Sequence, residues 1–470
     1  MKSAFLRGTA CRVFAFIFLI SSGSLAQNGL TPQQVAQIDE LVSRTLTESG
    51  VPSASIAVVK DGNLALAKGY GNARISPPLA AKPKTRYAIG SLSKQFTAAA
   101  ILLLQQQHKL SIDDSVAKYL PALTRANEVT IRELLSHTSG YQDYYPQDYV
   151  PEFMQQPGST QQILDTWAKR PLDFDPGTKW QYSNTNFVIA GAIAEKVAGE
   201  PLFKFLNDRI FRQLGMSSVF DIDHNQPAPA DALGYFSYGT GPNRVQKKEG
   251  DGWLFAAGEL AMTASDLAKW DISMMNESLL QPASYRQMGT EMMLKSGVGA
   301  GYGLGVVVSI WETHRRISHT GEVSGYTTMN AVFPDEHLAV VVLTNKMAGT
   351  AASPIGDGIA RILFTQTTAQ DVREAGRVKT ILGQLQSGTI DRTQFTESCN
   401  LYFSNDAVHD YAATLAGLGE PQSITLNKEG PRGGMMFRSW HVSYAAKEFE
   451  VTEYEQSDGK LEQFLVLPET

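Results

Sequence analysis

Ala88-Ile89-Gly90-Ser91-Leu92-Ser93-Lys94-Gln95-Phe96-Thr97-Ala98 opens an apolar, alanine-rich run that continues to Leu104. A run of this kind predicts a buried helix. A helix starting at Ser91 puts that serine in the first turn. Free backbone N–H groups and the positive end of the helix dipole favour a developing anion there. Lys94, three residues on, returns its amine to the face of the Ser91 hydroxyl. Serine is a weak nucleophile until a neighbouring base takes its proton. A buried lysine can serve, because desolvation favours the neutral amine.

Ser-x-x-Lys occurs three times, at Ser91–Lys94, Ser115–Lys118 and Ser457–Lys460. Ser115-Val116-Ala117-Lys118 runs into Tyr119-Leu120-Pro121, a short exposed turn of helix ended by proline. Ser457-Asp458-Gly459-Lys460 reads as turn chemistry between two strands. Only Ser91 precedes a long apolar helix. Further along, Tyr182-Ser183-Asn184 follows the turn signal Pro176-Gly177, and His319-Thr320-Gly321-Glu322 closes a strand-like run. Tyr70-Gly71-Asn72 repeats the Tyr-x-Asn pattern at the end of an early strand and reads as a hairpin feature. Lys295-Ser296-Gly297 fits a looser Lys-[Ser/Thr]-Gly pattern but has no strand before it, so it ranks behind His319-Thr320-Gly321.

Taken together, these segments resemble the serine hydrolase family that unites class C β-lactamases, exported D-alanyl-D-alanine carboxypeptidases, D-amino-acid peptidases and related esterases. The landmarks are Gly90 to Lys94, Leu134-Leu135-Ser136-His137-Thr138-Ser139-Gly140, Pro176-Gly177 with Tyr182-Ser183-Asn184, Ala256-Ala257-Gly258, Tyr302-Gly303-Leu304-Gly305, and His319-Thr320-Gly321 with Gly325-Tyr326. They follow the family's order over about residues 30 to 366. The resemblance implies acylation of Ser91, with Lys94 and Tyr182 sharing general base and acid work. It implies substrate contacts from Asn184, His319, Thr320 and Gly321, and an oxyanion hole from the backbone N–H groups of Ser91 and Glu322. A phenol beside an ammonium should deprotonate more easily, and Gly321 should let substrate approach the backbone closely. Asn184 is expected to reach both Lys94 and the substrate amide, and His137 to shape a loop. Many relatives carry lysine at the His319 position and a second glycine at the Glu259 position; Glu259 is expected to face the site or solvent.

Composition bounds the partners. The 470 residues carry 47 acidic and 41 basic side chains. Lys2, Arg7 and Arg12, the apolar run Val13–Ile20 and Ser24-Leu25-Ala26 read as a signal peptide over 1–26, so the chain is expected to be exported, periplasmic or secreted. Cleavage removes three basic residues and leaves a still more acidic protein. That argues against nucleic acid or an anionic membrane surface as partner. No stable membrane insertion is expected after cleavage. Cys399 would remain the one mature cysteine, and the eight histidines never fall as His-x-x-x-His on a predicted helix, so neither metal nor cofactor is expected.

The predicted organisation is an α+β hydrolase domain over 27–366 and a small α+β domain over 371–470. In the first, strands Ser55–Lys60 and Asn63–Lys68 pair through Asp61-Gly62. Late strands lie at Gly305–Trp311, Arg315–Ser318, Tyr326–Phe333 and Leu338–Leu343, and a closing helix at Pro354–Phe364. One antiparallel sheet from both chain ends, flanked by helices and holding an inserted helical subdomain, follows; this is the β-lactamase/transpeptidase-like layout. The C-terminal part reads as helices, then four strands, and resembles the cystatin-like or NTF2-like layout in architecture only. The favoured activity is peptidase or carboxypeptidase chemistry on D-amino-acid or peptidoglycan-type peptides. A class C-like β-lactamase or a broad esterase uses the same residues, and a non-catalytic penicillin-binding or sensor protein is the alternative of another class.

Overall fold

The computed structural model describes residues 29–364 and 369–468, which divide into two compact units meeting at Leu363/Phe364. The signal-peptide reading of residues 1–26 lies outside the described residues, as do residues 365–368 beside the boundary expected between the two domains.

In the first unit, Thr31 caps the helix Pro32–Ser49 through a reciprocal capping box with Gln34. Seven antiparallel strands then form one sheet. Its order is Leu79–Ala80, Asn63–Arg74, Ser53–Lys60, Leu338–Thr344, Tyr326–Phe333, His314–Val323 and Val307–Trp311. The N-terminal strand Ser53–Lys60 sits between Asn63–Arg74 and Leu338–Thr344, so the two chain ends meet at its centre. These two central strands carry no alternation. Ile56 to Val59 and Val340 to Leu343 are all fully buried, because helices cover both faces. Ala57, Val59, Val341 and Leu343 join Phe96, Ile101 and Leu267 in the main core. By strand alternation Ile56, Val58, Val340 and Val342 face the other side. The helix Ala352–Phe364 lies there, with Gly356 against Met329 and Gly358 against Leu41 of the first helix. The helices and loops between Gln106 and Leu260 form the expected insertion.

The strand expected to end at Ser318 instead runs from His314 to Val323, through His319-Thr320-Gly321. The reason is its pairing. Tyr326–Phe333 hydrogen-bonds it up to Val323↔Tyr326, across the two-residue turn Ser324-Gly325. The outer strand Val307–Trp311 pairs only with residues 314 to 318. Residues 319 to 323 therefore present an open edge.

The second unit starts on the helix Ala369–Gln386 and has two more helices, Glu397–Tyr402 and Asn405–Leu415. Four strands follow as a meander, Ser423–Arg432, Met435–Ser443, Glu448–Glu455 and Leu461–Pro468. Helices first and meander after match the expected order. The sheet is open, with Ser423–Arg432 and Leu461–Pro468 as edges, so it forms no closed cystatin- or NTF2-like cone. Val378, Ile381, Leu382 and Leu385 pack on Trp440, Val442, Phe449, Val451 and Phe464. Arg438 shares the buried face of its strand with Trp440. It is held by Glu453, itself fully buried, and by Glu455 at 2.5 Å.

Every candidate site residue lies in the first unit, whose core closes on itself. A chain ending at Phe364 is expected to be soluble, to melt cooperatively and to be acylated at Ser91. Cooperative melting without acylation, read by intact mass, would assign part of the site to the second unit.

Candidate active site

Gly90, with φ at +54°, turns the chain out of the short strand Tyr87–Ala88. A Cβ built there would lie 2.8 Å from Glu322 N. Only glycine permits that approach. Ser91 sits in the 3-10 turn Gly90–Leu92, and the α-helix proper begins at Ser93, two residues later than expected. In a 3-10 turn residues three apart eclipse, which aligns Lys94 with Ser91. Lys94 is fully buried, against the helix Asn184–Ala198. Its Nζ lies 2.9 Å from Ser91 Oγ and donates to Asn184 Oδ1 at 2.8 Å and Ala257 O at 2.9 Å. Burial pushes the amine down to about 7, against the opposing pull of the Asp143 carboxylate.

Tyr182 Oη lies 2.7 Å from Ser91 Oγ on the other side. Burial raises its pKa and outweighs the hydrogen bond to Ser91. The expected ease of deprotonation is thus reversed. The phenol rests neutral, because burial disfavours the phenolate and the Asp143 carboxylate opposes it further. His137, at φ +59°, positions this segment. Its Nδ1 accepts from Ser183 N at 3.2 Å, its carbonyl accepts from Gln181 N at 3.0 Å, and its ring stands 4.3 Å from that of Tyr182.

Asn184 is engaged at both ends. Lys94 takes its Oδ1, while its Nδ2 donates to Asp143 Oδ2 at 3.2 Å and its backbone N to Asp143 Oδ1 at 2.9 Å. The expected contact with a substrate amide competes with Asp143. His319 is nearly buried and is pushed down to about 4 by desolvation and by Lys94. Its Nδ1 faces Thr320 O and its Nε2 faces Tyr302 Oη at 2.8 Å. The carbonyl can only accept, so Nδ1 carries the proton and the ring is neutral.

Thr320 and Glu322 are exposed on the open strand edge. Val323↔Tyr326 closes the hairpin as a hydrogen-bonded pair. By alternation Thr320 and Glu322 turn their N–H and C=O groups outward, toward the serine. This places Glu322 N beside the Ser91 turn. Gly321 has a different part from the one expected. A Cβ there would meet Ile89 O at 2.0 Å, so the space assigned to substrate is filled by the serine's own turn.

These groups line a cavity of about 270 Å³, with Ser91, Tyr182, Asn184, His319, Thr320 and Glu322 in its wall, together with Asp143, Tyr145 and Asp148 from the tyrosine-rich loop. Sequence reading missed Asp143 and the role of Tyr302. Asp143 lies 41 positions from Asn184, and no local spacing links the two.

The rejected motifs lie elsewhere. Ser115 Oγ caps its own turn, accepting from Ala117 N at 3.1 Å and donating to Ala126 O at 2.9 Å. Tyr70 Oη donates to Asp39 at 2.8 Å. Lys295 N donates to Gly177 O at 2.8 Å, outside the cavity wall. Glu259 faces neither site nor solvent: it is buried, with its pKa raised well above the usual range by desolvation and by Asp221 and Asp223. Among the described residues no group of three or more His, Cys, Asp or Glu side chains could hold a metal ion, and no helix is long and apolar enough to cross a membrane.

The Beta-lactamase family model matches residues 38–362. Protein flp of Staphylococcus aureus (strain MRSA252) is 28% identical over 328 residues, 67% of this chain and 64% of its own length. The chain thus spans less than two thirds of that relative. The octameric penicillin-binding protein homologue from Pyrococcus abyssi superposes with a TM-score of 0.62 at 20% identity, over 93% of this chain and 98% of that one, and shares the fold. A D-stereospecific amidohydrolase from Streptomyces sp. superposes with a TM-score of 0.60 at 25% identity, over 68% of this chain and 96% of that one. A match across most of the chain, on a buried lysine beside a serine at the foot of an open strand edge, makes this chain a member of the β-lactamase and penicillin-binding-protein family of serine hydrolases.

Proposed function

We propose that this serine hydrolase forms its acyl-enzyme on Ser91 and cleaves amide bonds in D-amino-acid or peptidoglycan-type peptides. The observation that carries the reading is the amine of Lys94, buried, lowered to about 7 and 2.9 Å from Ser91 Oγ. A base poised near working pH is what general base catalysis needs. Neutral Lys94 takes the Ser91 proton as Oγ attacks the substrate carbonyl. The N–H groups of Ser91 and Glu322 receive the oxyanion. The neutral Tyr182 phenol gives its proton to the departing nitrogen and is reloaded from the Lys94 ammonium. Water then enters by the reverse path, and the acid leaves Ser91. His319, Thr320 and the strand edge hold the substrate, and Asp143 orients Asn184. The amide preference draws support from the D-stereospecific amidohydrolase likeness. The N-terminal segment supports an exported, periplasmic or secreted enzyme.

Ser91→Ala is expected to abolish labelling by a fluorophosphonate or penicillin probe, read by intact mass, while Ser115→Ala leaves it unchanged. Labelling of Ser91→Ala at the wild-type rate would sink the assignment. Tyr182→Phe should slow acylation by an activated ester by about two to four orders of magnitude, the range for a general acid–base group. A stopped-flow loss under threefold would mean that Lys94 works without the phenol.

The acylation rate should climb with pH and level off above about 7, because Lys94 accepts a proton only after losing its own. Asp143→Asn should move that inflection lower, since the carboxylate favours the ammonium. A rate with no inflection near 7 would exclude a Lys94 amine lowered to that value as the base.

A further inference from the structure

The cavity beside Ser91 is acidic. Asp143, Asp148 and Glu322 stand in its wall, and among the described residues its wall contains neither lysine nor arginine. The basic groups nearest the serine offer little charge. Lys94 lies beneath the wall with an amine lowered to about 7, and His319 is neutral. Arg315 and Arg316, the two arginines on the same strand, are spent elsewhere. Arg315 donates to Gly289 O at 3.1 Å, and Arg316 pairs with Asp357 at 3.0 Å.

We infer that the substrate presents an ammonium group rather than a carboxylate near its scissile bond, with Glu322 and Asp148 as counter-ions. This rests on the serine-hydrolase reading above and narrows it to amine-bearing amides and peptides cleaved next to an unblocked amine. The geometry favours Glu322 as the main contact. Its side chain lies on the same face of the open edge as Thr320, two residues away. Its Oε1 accepts from Ala348 N at 2.7 Å, which fixes the carboxylate in place. Asp148 stands across the cleft, close enough that its charge opposes ionisation of Glu322. A cation between two such carboxylates relieves their repulsion and gains charge-assisted hydrogen bonds. A substrate carboxylate would instead add a further negative charge to the same cleft. Asp143 contributes to the field, although its oxygens are taken by Asn184 and Tyr145.

The test compares three p-nitroanilides of D-alanine at pH 7, with the amine free, acetylated or succinylated. The free amine is then largely protonated. The free-amine compound should exceed the acetylated one in kcat/KM by about tenfold or more, the scale of a hydrogen bond to a charged group, with the succinylated compound slowest. Glu322→Gln should shrink the first ratio to under threefold. If that variant does not fold, Asp148→Asn, at an exposed loop position, makes the same comparison. Equal rates, or a succinylated compound that is best, in protein that fluorophosphonate labels at Ser91 would overturn the inference and leave the serine-hydrolase reading standing. If Ser91 is labelled but no anilide turns over, the three serve as competitors of labelling. Protection at the lowest concentration by the free amine supports the inference, and by the succinylated compound overturns it. Protein that neither labels nor turns over defeats the underlying reading, and this inference falls with it.

Discussion

Removing one lysine amine from water organises the centre of this molecule. Lys94 is fully buried and answered by a serine hydroxyl, an amide oxygen and a backbone carbonyl. A formal carboxylate partner would have kept it charged and useless as a base. Asp143 is near enough to moderate the shift, yet hydrogen-bonds Asn184 instead. The neighbours adjust to the same dry surroundings. His137 and His319 are both held neutral by burial and by Lys94, and Tyr182 keeps its proton. Four titratable groups thus share a small volume in a state where none need carry charge at neutral pH. Proton movements among them require little solvent rearrangement, the condition under which preorganised dipoles act most strongly.

That centre depends on two backbone approaches. The serine's turn can lie against the strand edge only because Gly90 and Gly321 lack side chains. The strand edge is open only because its outer neighbour, Val307–Trp311, pairs no further along it than Ser318↔Val307. Thr328 Oγ1 reinforces the junction by donating to Ile89 O at 2.9 Å. The Ser91–Lys94 turn and Glu322 come from chain segments more than two hundred residues apart, and the central pairing of Ser53–Lys60 with Leu338–Thr344 brings those segments together.

Much of this was legible beforehand, for physical reasons. The Ser91 helix, the hairpin turn at Asp61-Gly62, the late strands and the helices-then-meander tail all announce themselves through local periodicity and turn chemistry. Ser115 could be set aside because its turn of helix is ended by Pro121. What stayed hidden were effects of tertiary surroundings. The resting state of Tyr182 depends on how far burial outweighs a nearby amine, and no spacing encodes that balance. Asp143 meets Asn184 only after a loop folds back. Glu259 turned inward, to a pair of acids that local pattern cannot associate with it. The extension of the strand through His319-Thr320-Gly321 required a pairing partner, since Gly321 by itself argues against a strand. Arg438 lies on a buried face because Glu453 and Glu455 arrive from the next strand.

The interlock of Gly90 and Gly321 also limits how this scaffold can change. Sliding the strand His314–Val323 by one position would drive a side chain into Ile89 O, and would invert every face of the edge. Register is therefore closed as a route to new specificity. Variation is left to the outward side chains at positions 320 and 322 and to the loop at 146 to 148, which lie apart from the contacts that Lys94 and Asn184 make with Asp143. On the proposed reading, the molecule separates, in space and in mutational freedom, the part that breaks bonds from the part that chooses them.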